Sequence, residues 1–354
     1  MDSFFLNKRY RAANRKKNFL IILAALLVVV LGIWFASIGL DQTVWRTILA
    51  LKAYSKGSLD QGPDSAVNKI ILLLRLPRIA MAILAGVGLA VSGAIMQSVT
   101  RNPLVSPFTL GLSSAAAFGA SMCIVFGEGV FFESETGVIA CAFTSSLFCV
   151  FIVYSLAKKI GINPTVIVLV GISLNYFFSA LTATVEFFAK QHKLEAIVHW
   201  TFGSFNKSSW NSVIICAVII TLCMLFLRRQ RLRLDAIALN DDESVKSLGI
   251  NPENIRAVSG IIAVLITSTI ISFTGVIGFV GLIAPHMARM IIGNQHCYFI
   301  PFAGFLGAIL LLCADTMGRF LLYPVSIPVG IIVSFLGAPL FARLILSVGK
   351  KGLN

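Results

Sequence analysis

Residues 75–110 read RLPRIAMAILAGVGLAVSGAIMQSVTRNPLVSPFTL. Two arginines, Arg75 and Arg78, flank a proline, and an apolar run of about twenty residues follows, which is the length that crosses a bilayer. Glycine and alanine recur along this run, and small residues allow a neighbouring helix to approach closely. Because arginine is costly to place in hydrocarbon, the two arginines mark an aqueous boundary. The stretch predicts a tightly packed spanning helix around which the other spans are arranged.

The composition of the whole chain predicts an all-α polytopic membrane protein. Of the 354 residues 57% are hydrophobic and 12% are charged, and the mean hydropathy is +0.90. Soluble domains carry about 25% charged residues. Much of the net charge of +14 lies in short segments beside apolar runs, where it sets membrane topology, so we expect no nucleic-acid partner. The seven cysteines have no metal-ligand spacing and predict no disulfide framework.

The charge pattern predicts about ten spans, some of them short and broken, with both termini in the cytoplasm. A basic cytoplasmic segment covers residues 1–18, and the densest later cluster, Arg228–Arg233, follows the sixth span. Counting spans places that cluster inside as well, so two independent signals agree. We expect spans at 19–40, 78–98, 108–126, 137–157, 165–188, 211–227, 257–276, 282–293, 299–317 and 329–347.

The segments between the spans complete the predicted organisation. The membrane domain covers residues 19–347, and residues 348–354 form a cytoplasmic tail. Outside the membrane we expect an amphipathic piece at 43–51, an insert at 52–66 and a glycine-rich turn at Gly275–Gly281.

No residue pattern indicates catalysis by this chain. The only Gly-Lys pair, Gly349-Lys350, lacks the upstream glycine and the following Ser or Thr of a phosphate-binding loop, so the chain is not expected to hydrolyse ATP. The four histidines are scattered. His286, on a short apolar span, could be a ligand or a gate, but a hydrogen-bonded packing role is the commoner one.

Three arginines, Arg75, Arg78 and Arg319, each lie at the predicted outer end of a span. They could extend their guanidinium groups to the membrane interface, with no further role. They could equally form a rim for an acidic partner, because arginine makes bidentate pairs with carboxylates. Composition alone leaves both interpretations open.

The polar segment 238–250 predicts a short cytoplasmic helix. Asn240 or Asp241 can cap it, acidic residues fill its first turn, and Gly249 ends it. Val245 and Leu248 are three residues apart and are expected to share a face. The segment is either a solvated connector or a helix that docks into another protein.

The predicted spans are interrupted at Asn102-Pro103, Asn163-Pro164, Gly275–Gly281 and Pro285. Broken backbone at membrane depth is tolerated only where it lines a cavity or is buried in protein. These breaks favour a translocation path over a passive membrane scaffold.

Several motifs occur in register over residues 70–347, and together they resemble one family. They are RLPR at 75–78, SGAIMQ…RNPL at 92–104, LNDDESVKSLGI at 239–250, GFVGLIAPHMAR at 278–289, ADTMGR at 314–319, and SIPVG with LGAP at 326–339. The chain is similar to the permease subunits of ABC importers for iron–siderophores, heme and cobalamin (FecCD-type, type II importers).

The resemblance implies a ten-helix permease that pairs with a second permease, an identical copy or a paralogue, around a central path. Two cytoplasmic ABC ATPase subunits would hold the ATP and Mg, and this chain would bind no cofactor itself. An extracytoplasmic substrate-binding protein would deliver the cargo. The expected location is the bacterial cytoplasmic (inner) membrane. An iron–siderophore complex is the leading cargo, with heme, cobalamin or an oxyanion as alternatives.

The resemblance also implies roles for particular residues, which we carry over as expectations. Binding-protein docking falls on Arg75, Arg78 and Arg319, which would pair with glutamates of that protein. ATPase coupling falls on Asp242, Glu243, Leu248 and Gly249. The translocation path and its gate fall on Gln97, Asn102, Pro103, Leu104, Asn163 and Pro164. Asn163-Pro164 departs from the small hydroxyl residues of some family members.

A secondary transporter driven by an ion gradient is the main alternative. That class usually carries an ionisable relay inside its spans. Glu186 and Asp315 are the candidates here, and both lie near predicted span ends. Asp315 is also expected to pair with Arg319, one helical turn away.

Overall fold

The computed structural model describes residues 2–37, 68–127, 134–322 and 324–351. The amphipathic piece expected at 43–51 and the insert at 52–66 lie outside the described residues, as does the end of the tail, 352–354. The helices are α1 Asp2–Ser37, α2 Leu76–Thr100, α3 Leu112–Phe126, α4 Glu135–Ile160, α5 Pro164–Phe188, α6 Gln191–Thr201, α7 Trp210–Leu239, α8 Asp242–Ser247, α9 Pro252–Thr274, α10 Val280–Ile292, α11 His296–Phe320 and α12 Val329–Lys351. A π-helical turn, Ile70–Arg75, leads into α2, and a 3₁₀ turn, Pro107–Leu110, precedes α3.

Seven of the described helices are long and apolar enough to cross a membrane, namely α1, α2, α4, α5, α7, α9 and α11. Three shorter apolar helices, α3, α10 and α12, complete the set. These ten apolar helices follow the order of the ten predicted spans. The all-helical class is therefore confirmed for the described part of the chain.

Helix α2 is the centre of the molecule, with α7, α9, α10 and α11 packed around it. Its apolar face is almost entirely buried because small residues bring neighbouring backbones close. A β-carbon added at Gly86 would lie 2.5 Å from Ala308 Cα of α11, and one added at Gly93 would lie 2.6 Å from Gly281 Cα of α10. The prediction of a tightly packed helix is confirmed.

Helix α7 is longer than the span predicted within it. The helix contains the expected span 211–227 and continues through the basic cluster to Leu239. Arginine and leucine favour helix, and Leu234 and Ile237 beyond the cluster are buried.

The glycine-rich turn expected at Gly275–Gly281 is present but shorter, because the next helix already begins at Val280. Residues 275–279 are non-helical but largely enclosed by protein, with Ile277 fully buried, and α10 begins at Val280 against α2. Gly275 allows close packing there, because a β-carbon at this position would lie 3.0 Å from Gly203 Cα. Broken backbone enclosed by protein is what the sequence predicted for these interruptions in general.

Polar contacts fix which helix termini share an end of the bundle. At the end containing Arg101, Arg101 Nε donates to the Ile237 carbonyl at 2.7 Å, and Lys17 Nζ donates to Gln295 Oε1 at 2.7 Å. At the opposite end, containing Arg75, Trp210 Nε1 donates to the Leu72 carbonyl at 2.9 Å. We call these the Arg101 end and the Arg75 end.

Replacing Gly86 with alanine should separate α2 from α11. Alanine is favoured over glycine in a helix by about 1 kcal/mol, so this term alone would stabilise the variant. A net loss of stability can then be attributed to the contact between α2 and α11. We expect the Gly86→Ala chain to lose about 1–3 kcal/mol, the usual cost of overpacking, and to unfold at a lower temperature in detergent. Gly278→Ala is the control, because a β-carbon there meets nothing within 4 Å. Equal melting temperatures for the two variants would contradict this packing.

Candidate functional site: two charged ends and an inner loop

The three arginines of the predicted rim converge at the Arg75 end, but they are not equivalent. Arg78 forms a bidentate pair with Asp315 of α11, in which Nη2 donates to Oδ1 at 2.7 Å and Nε donates to Oδ2 at 3.0 Å. Asp315 is only 5% exposed, so this pair is largely enclosed. Arg78 Nη1 also donates to Asn206 Oδ1. Arg78 is therefore committed to tying α2 to α11.

The other two arginines make different contacts at this end. Arg319 Nε lies 3.6 Å from Asp315 Oδ2, so the expected pair between Asp315 and Arg319 is confirmed, although Arg78 is the closer partner. Arg75 Nη1 donates to the Ala36 carbonyl at the end of α1, at 2.9 Å. Among the described residues, Asp315 thus pairs with two guanidinium groups, those of Arg78 and Arg319.

The inner loop contains the short helix predicted from the sequence. Asp241 caps α8, and its side chain accepts a hydrogen bond from the Ser244 backbone nitrogen at 3.4 Å. Gly249 ends the helix with φ 74°, a conformation that favours glycine, and its nitrogen donates to the Lys246 carbonyl at 2.9 Å. The loop is thus a capped helix followed by a hydrogen-bonded turn.

The expectation that Val245 and Leu248 share a face is wrong. Val245 is fully buried against the bundle, whereas Leu248 is 64% exposed. The helix ends at Ser247, so Leu248 lies in the turn and its side chain is turned away from the core. Leu248 is consequently an apolar side chain left available to a partner.

Asp242 anchors this loop to the bundle. Its carboxylate accepts from Arg256 Nη1 at 2.8 Å and Nη2 at 2.5 Å, and from Arg101 Nη2 at 2.7 Å. Arg256 is fully buried and its Nε also donates to the Val99 carbonyl at 3.2 Å. The Asp242 clamp, meaning Asp242 with Arg101 and Arg256, therefore links α8 to α2 and α9. The sequence had assigned Asp242 to a partner, and these contacts hold its carboxylate within the chain.

The clamp stays charged at physiological pH. The Arg256 hydrogen bond, with a further contribution from Arg101, lowers the pKa of the Asp242 carboxyl to about 2. An ordinary aspartate has a pKa of about 3.9. A carboxyl whose pKa is lowered by folding stabilises the folded state at any pH above its ordinary pKa. This stabilisation is lost as the pH falls from the ordinary pKa through the lowered pKa of the folded state. The loop attachment is accordingly insensitive to any pH above about 4.

The predicted gate residues occupy two different environments at the Arg101 end. Gln97 is buried in α2, where its Nε2 lies 3.4 Å from the carbonyls of both Gly281 and Leu282. Its Oε1 has no partner among the described residues, and a cavity of about 130 Å³ lies beside it. Asn102, Pro103 and Leu104 form an exposed turn, in which Asn102 Oδ1 accepts from the Leu104 nitrogen at 2.9 Å.

The second predicted gate segment starts helix α5. Asn163 caps that helix, with its Oδ1 accepting from the Val166 nitrogen at 2.8 Å, and Pro164 takes the first helical position. Helix α5 packs on the 3₁₀ turn that follows the exposed Asn102–Leu104 turn. The two predicted gate segments therefore belong to neighbouring parts of the structure. Gln97, in contrast, is buried within α2.

His296 is a functional candidate that sequence reasoning missed. Its Nδ1 lies 2.6 Å from Asp235 Oδ1 and its Nε2 lies 2.7 Å from Ser98 Oγ, so the buried ring joins α11 to α7 and α2. His286, singled out from the sequence, is half-buried and forms no hydrogen bond with the described residues. The hydrogen-bonded packing role expected of His286 belongs to His296. Sequence alone gave no signal, because Asp235 and Ser98 are far from His296 along the chain.

No metal centre emerges from these residues. In the ranges that the structure describes, no group of three or more His, Cys, Asp or Glu side chains lies together. The arrangement can bind charged or apolar surfaces at its two ends, and it can transmit movement through the Asp242 clamp.

Known proteins resemble this chain over nearly its whole length. The model of the FecCD transport family matches residues 20–347. An ABC transporter permease protein of Methanocaldococcus jannaschii is 36% identical over 97% of this chain and 99% of its own length. The iron(3+)-hydroxamate import system permease protein of Bacillus subtilis is 32% identical over 92% of this chain and 97% of its own. The molybdate import system permease protein of Haemophilus influenzae is 30% identical over 95% of both chains.

A solved structure is also similar. It is described as an inward-facing conformation of a metal-chelate type ABC transporter, and it superposes with a TM-score of 0.82 at 29% identity, over 93% of this chain and 99% of the other. The likeness therefore extends over nearly the whole of both chains.

Removing the Asp242 carboxylate should release the inner loop. Asp242→Ala leaves the two terminal nitrogens of the buried Arg256 guanidinium without their carboxylate acceptor, which should cost about 2 kcal/mol of stability. We expect a lower melting temperature and faster tryptic cleavage at Lys246. Glu243→Ala is the matched control, since Glu243 forms no ion pair with the described residues. The clamp would be refuted if both variants were cleaved at the wild-type rate.

Proposed function

The chain belongs to the FecCD transport family of ABC importer permeases, and from this membership we propose that it forms half of a translocation path for iron–siderophore complexes. As a permease of this kind it is a multi-pass membrane transport component and not a catalytic subunit. The single observation that carries the proposal is the full-length family match, which extends over the rim, the inner loop and the broken spans together.

The distribution of basic residues supports a topology with the Arg101 end in the cytoplasm. Lys17 of α1, Arg101 and the Arg228–Arg233 cluster all lie at or near that end. Positive residues remain on the cytoplasmic side of bacterial membranes. The Arg75 end would then face outward, and ten spans would return both termini to the cytoplasm of a cell whose inner membrane holds the permease.

The inner loop suits an ATPase partner. In this proposal Leu248 inserts into a cleft of the ATPase, with Glu243 beside it and Gly249 fixing the turn. ATP and Mg stay on that partner subunit. Because Asp242 is clamped to Arg101 and Arg256, a displacement of α8 would pull directly on α2 and α9. If the loop were a flexible connector, a displacement of α8 would not be transmitted to these two helices.

The rim at the Arg75 end suits an acidic binding protein. Among the described residues, the guanidinium groups of Arg78 and Arg319 share the single carboxylate of Asp315, and arginine pairs readily with a partner's glutamates. Arg78 is held by two nitrogens on Asp315, so its first role is to join α2 to α11. The binding protein would deliver the cargo above the path.

The path itself would lie between two permease copies, or between this chain and a paralogue. Two segments would narrow its cytoplasmic exit: the exposed Asn102–Leu104 turn and the start of α5 at Asn163-Pro164. Gln97 would lie behind them, within the helix bundle. ATP-driven closure of the partner subunits would shift the path between outward and inward openings.

An iron–siderophore cargo is favoured by the relative named for iron(3+)-hydroxamate, and an oxyanion is the runner-up because another relative is named for molybdate. Heme and cobalamin would fit the same scaffold. A gradient-driven transporter is disfavoured, because Asp315, one of its two candidate relay groups, is held by Arg78 and Arg319.

Uptake into proteoliposomes tests the function. The chain is reconstituted with its co-expressed ATPase and binding protein, and ferric siderophore, heme, cobalamin and molybdate are supplied in turn. We expect ATP-dependent uptake of ferric siderophore that persists when an uncoupler is added. Uptake by the chain alone, or uptake that collapses with the uncoupler while ATP is constant, would contradict an ATP-driven permease.

Co-purification of the ATPase tests the inner loop. Leu248→Ser should reduce co-purification of the ATPase about tenfold, the effect expected of a central apolar contact. Leu232→Ser changes another exposed leucine, on α7, and should leave co-purification intact.

A docking measurement with the binding protein distinguishes the role of Arg75 from that of Arg78. Arg75→Glu should weaken docking about tenfold or more, because it places like charge opposite the partner's acids, and the fold should be retained. Arg78→Glu should instead lower the melting temperature, because it puts a second carboxylate beside enclosed Asp315. Lys207→Glu alters a neighbouring exposed cation and serves as the charge control. Docking that is unchanged in Arg75→Glu, measured by surface plasmon resonance, would remove Arg75 from the rim.

A further inference from the structure

A groove of about 510 Å³ opens between α2, α7 and α11, and neither the predicted path nor the inner loop uses it. Leu84 and Val87 of α2 line one wall, and Ile300 and Pro301 of α11 line the other. Helix α7 supplies the floor. The groove is apolar along most of its length.

One face of α7 changes character along this groove. Its residues that line the groove recur at intervals of three and four, which places them on a single stripe, and they are Ile220, Thr221, Met224, Leu225, Leu227, Arg228 and Arg231. The stripe is apolar or weakly polar up to Leu227 and then carries two guanidinium groups. The groove therefore has the polarity of an amphiphile, with a long apolar part and a cationic end.

The positive charge at that end exceeds the negative charge beside it. Among the described residues, neither Arg228 nor Arg231 forms an ion pair, and Arg231 Nη1 donates to Cys297 Sγ at 3.5 Å. Asp235, the one acid of α7, is bonded to His296 and lies near enough to Arg231 to attract it electrostatically. One carboxylate shared with His296 does not balance two guanidinium groups, so an anionic group placed between the arginines would meet a net positive charge.

The arginines lie at the depth where lipid phosphates are found. Helix α7 rises about 27 Å from Trp210 to Arg228. A bilayer's hydrocarbon core is about 30 Å thick, and tryptophan favours its boundary. With Trp210 at one boundary, Arg228 and Arg231 emerge at the other, while the apolar part of the groove stays in the hydrocarbon.

We propose that this groove binds one anionic phospholipid, with an acyl chain along Val87 and Met224 and the phosphate between Arg228 and Arg231. Basic pockets between membrane helices on the cytoplasmic side are suited to such headgroups. A zwitterionic lipid would bring a cationic group beside two arginines, and an apolar partner helix would bury both guanidinium groups unpaired. The inference requires only that α7 spans the bilayer and does not depend on the transported cargo.

Native mass spectrometry of the full chain tests the site. The chain is assembled in nanodiscs of phosphatidylcholine and phosphatidylglycerol at equal moles, and retained lipids are counted after release. We expect one retained phosphatidylglycerol per chain. Each arginine near the surface should contribute about a fivefold preference over phosphatidylcholine, giving about 25-fold for the pair.

Matched variants distinguish a site from diffuse surface charge. Arg228→Gln with Arg231→Gln should abolish the preference. Arg229→Gln with Arg233→Gln removes the same charge from residues that do not line the groove, and should preserve it. Met224→Trp fills the apolar part and should reduce retention while the arginines remain. Equal loss in both arginine pairs, or no preference in the unaltered chain, would overturn the proposal. Melting temperatures of all variants identify any that fail to fold.

Discussion

The close approach of α2 to α10 and α11 is the constraint on which the rest of this structure depends. Gly86 faces Gly307 and Ala308, and Gly93 faces Gly281, with no space for a β-carbon at either contact. In a membrane, lipid is as apolar as the helix surface, so helices associate through such packing and through polar contacts and not through the hydrophobic effect. The small residues of α2 thereby position the helices that carry both charged ends.

The ends of the bundle use arginine–carboxylate pairs for the same purpose. Arg78 with Asp315 joins α2 to α11 at one end, and the Asp242 clamp joins α2, α8 and α9 at the other. Among the described residues, two arginines pair with one aspartate in each place, so these ion pairs carry a net positive charge. That surplus is what a negatively charged partner or headgroup could recognise.

The two ends differ in what they leave exposed. At the Arg75 end the described residues place the guanidinium groups of Arg78 and Arg319 around one enclosed carboxylate, Asp315. At the Arg101 end the inner loop presents a single apolar side chain, Leu248, on a rigidly attached turn. A rigid attachment converts a partner's movement into a shift of α2, which is the helix that all the neighbouring spans contact.

The sequence by itself determined the membrane class, the order of the apolar helices, the tight packing of α2 and the short capped helix at Asp242–Ser247. These follow from hydropathy, small-residue spacing and capping chemistry, all of which are local. Only the tertiary structure decided that Arg78 and Asp242 are held within the chain, that Val245 is buried while Leu248 is exposed, and that His296 bonds Asp235 and Ser98. The physical reason is that ion pairing and burial depend on which distant helices meet, and periodicity along one helix does not contain that information.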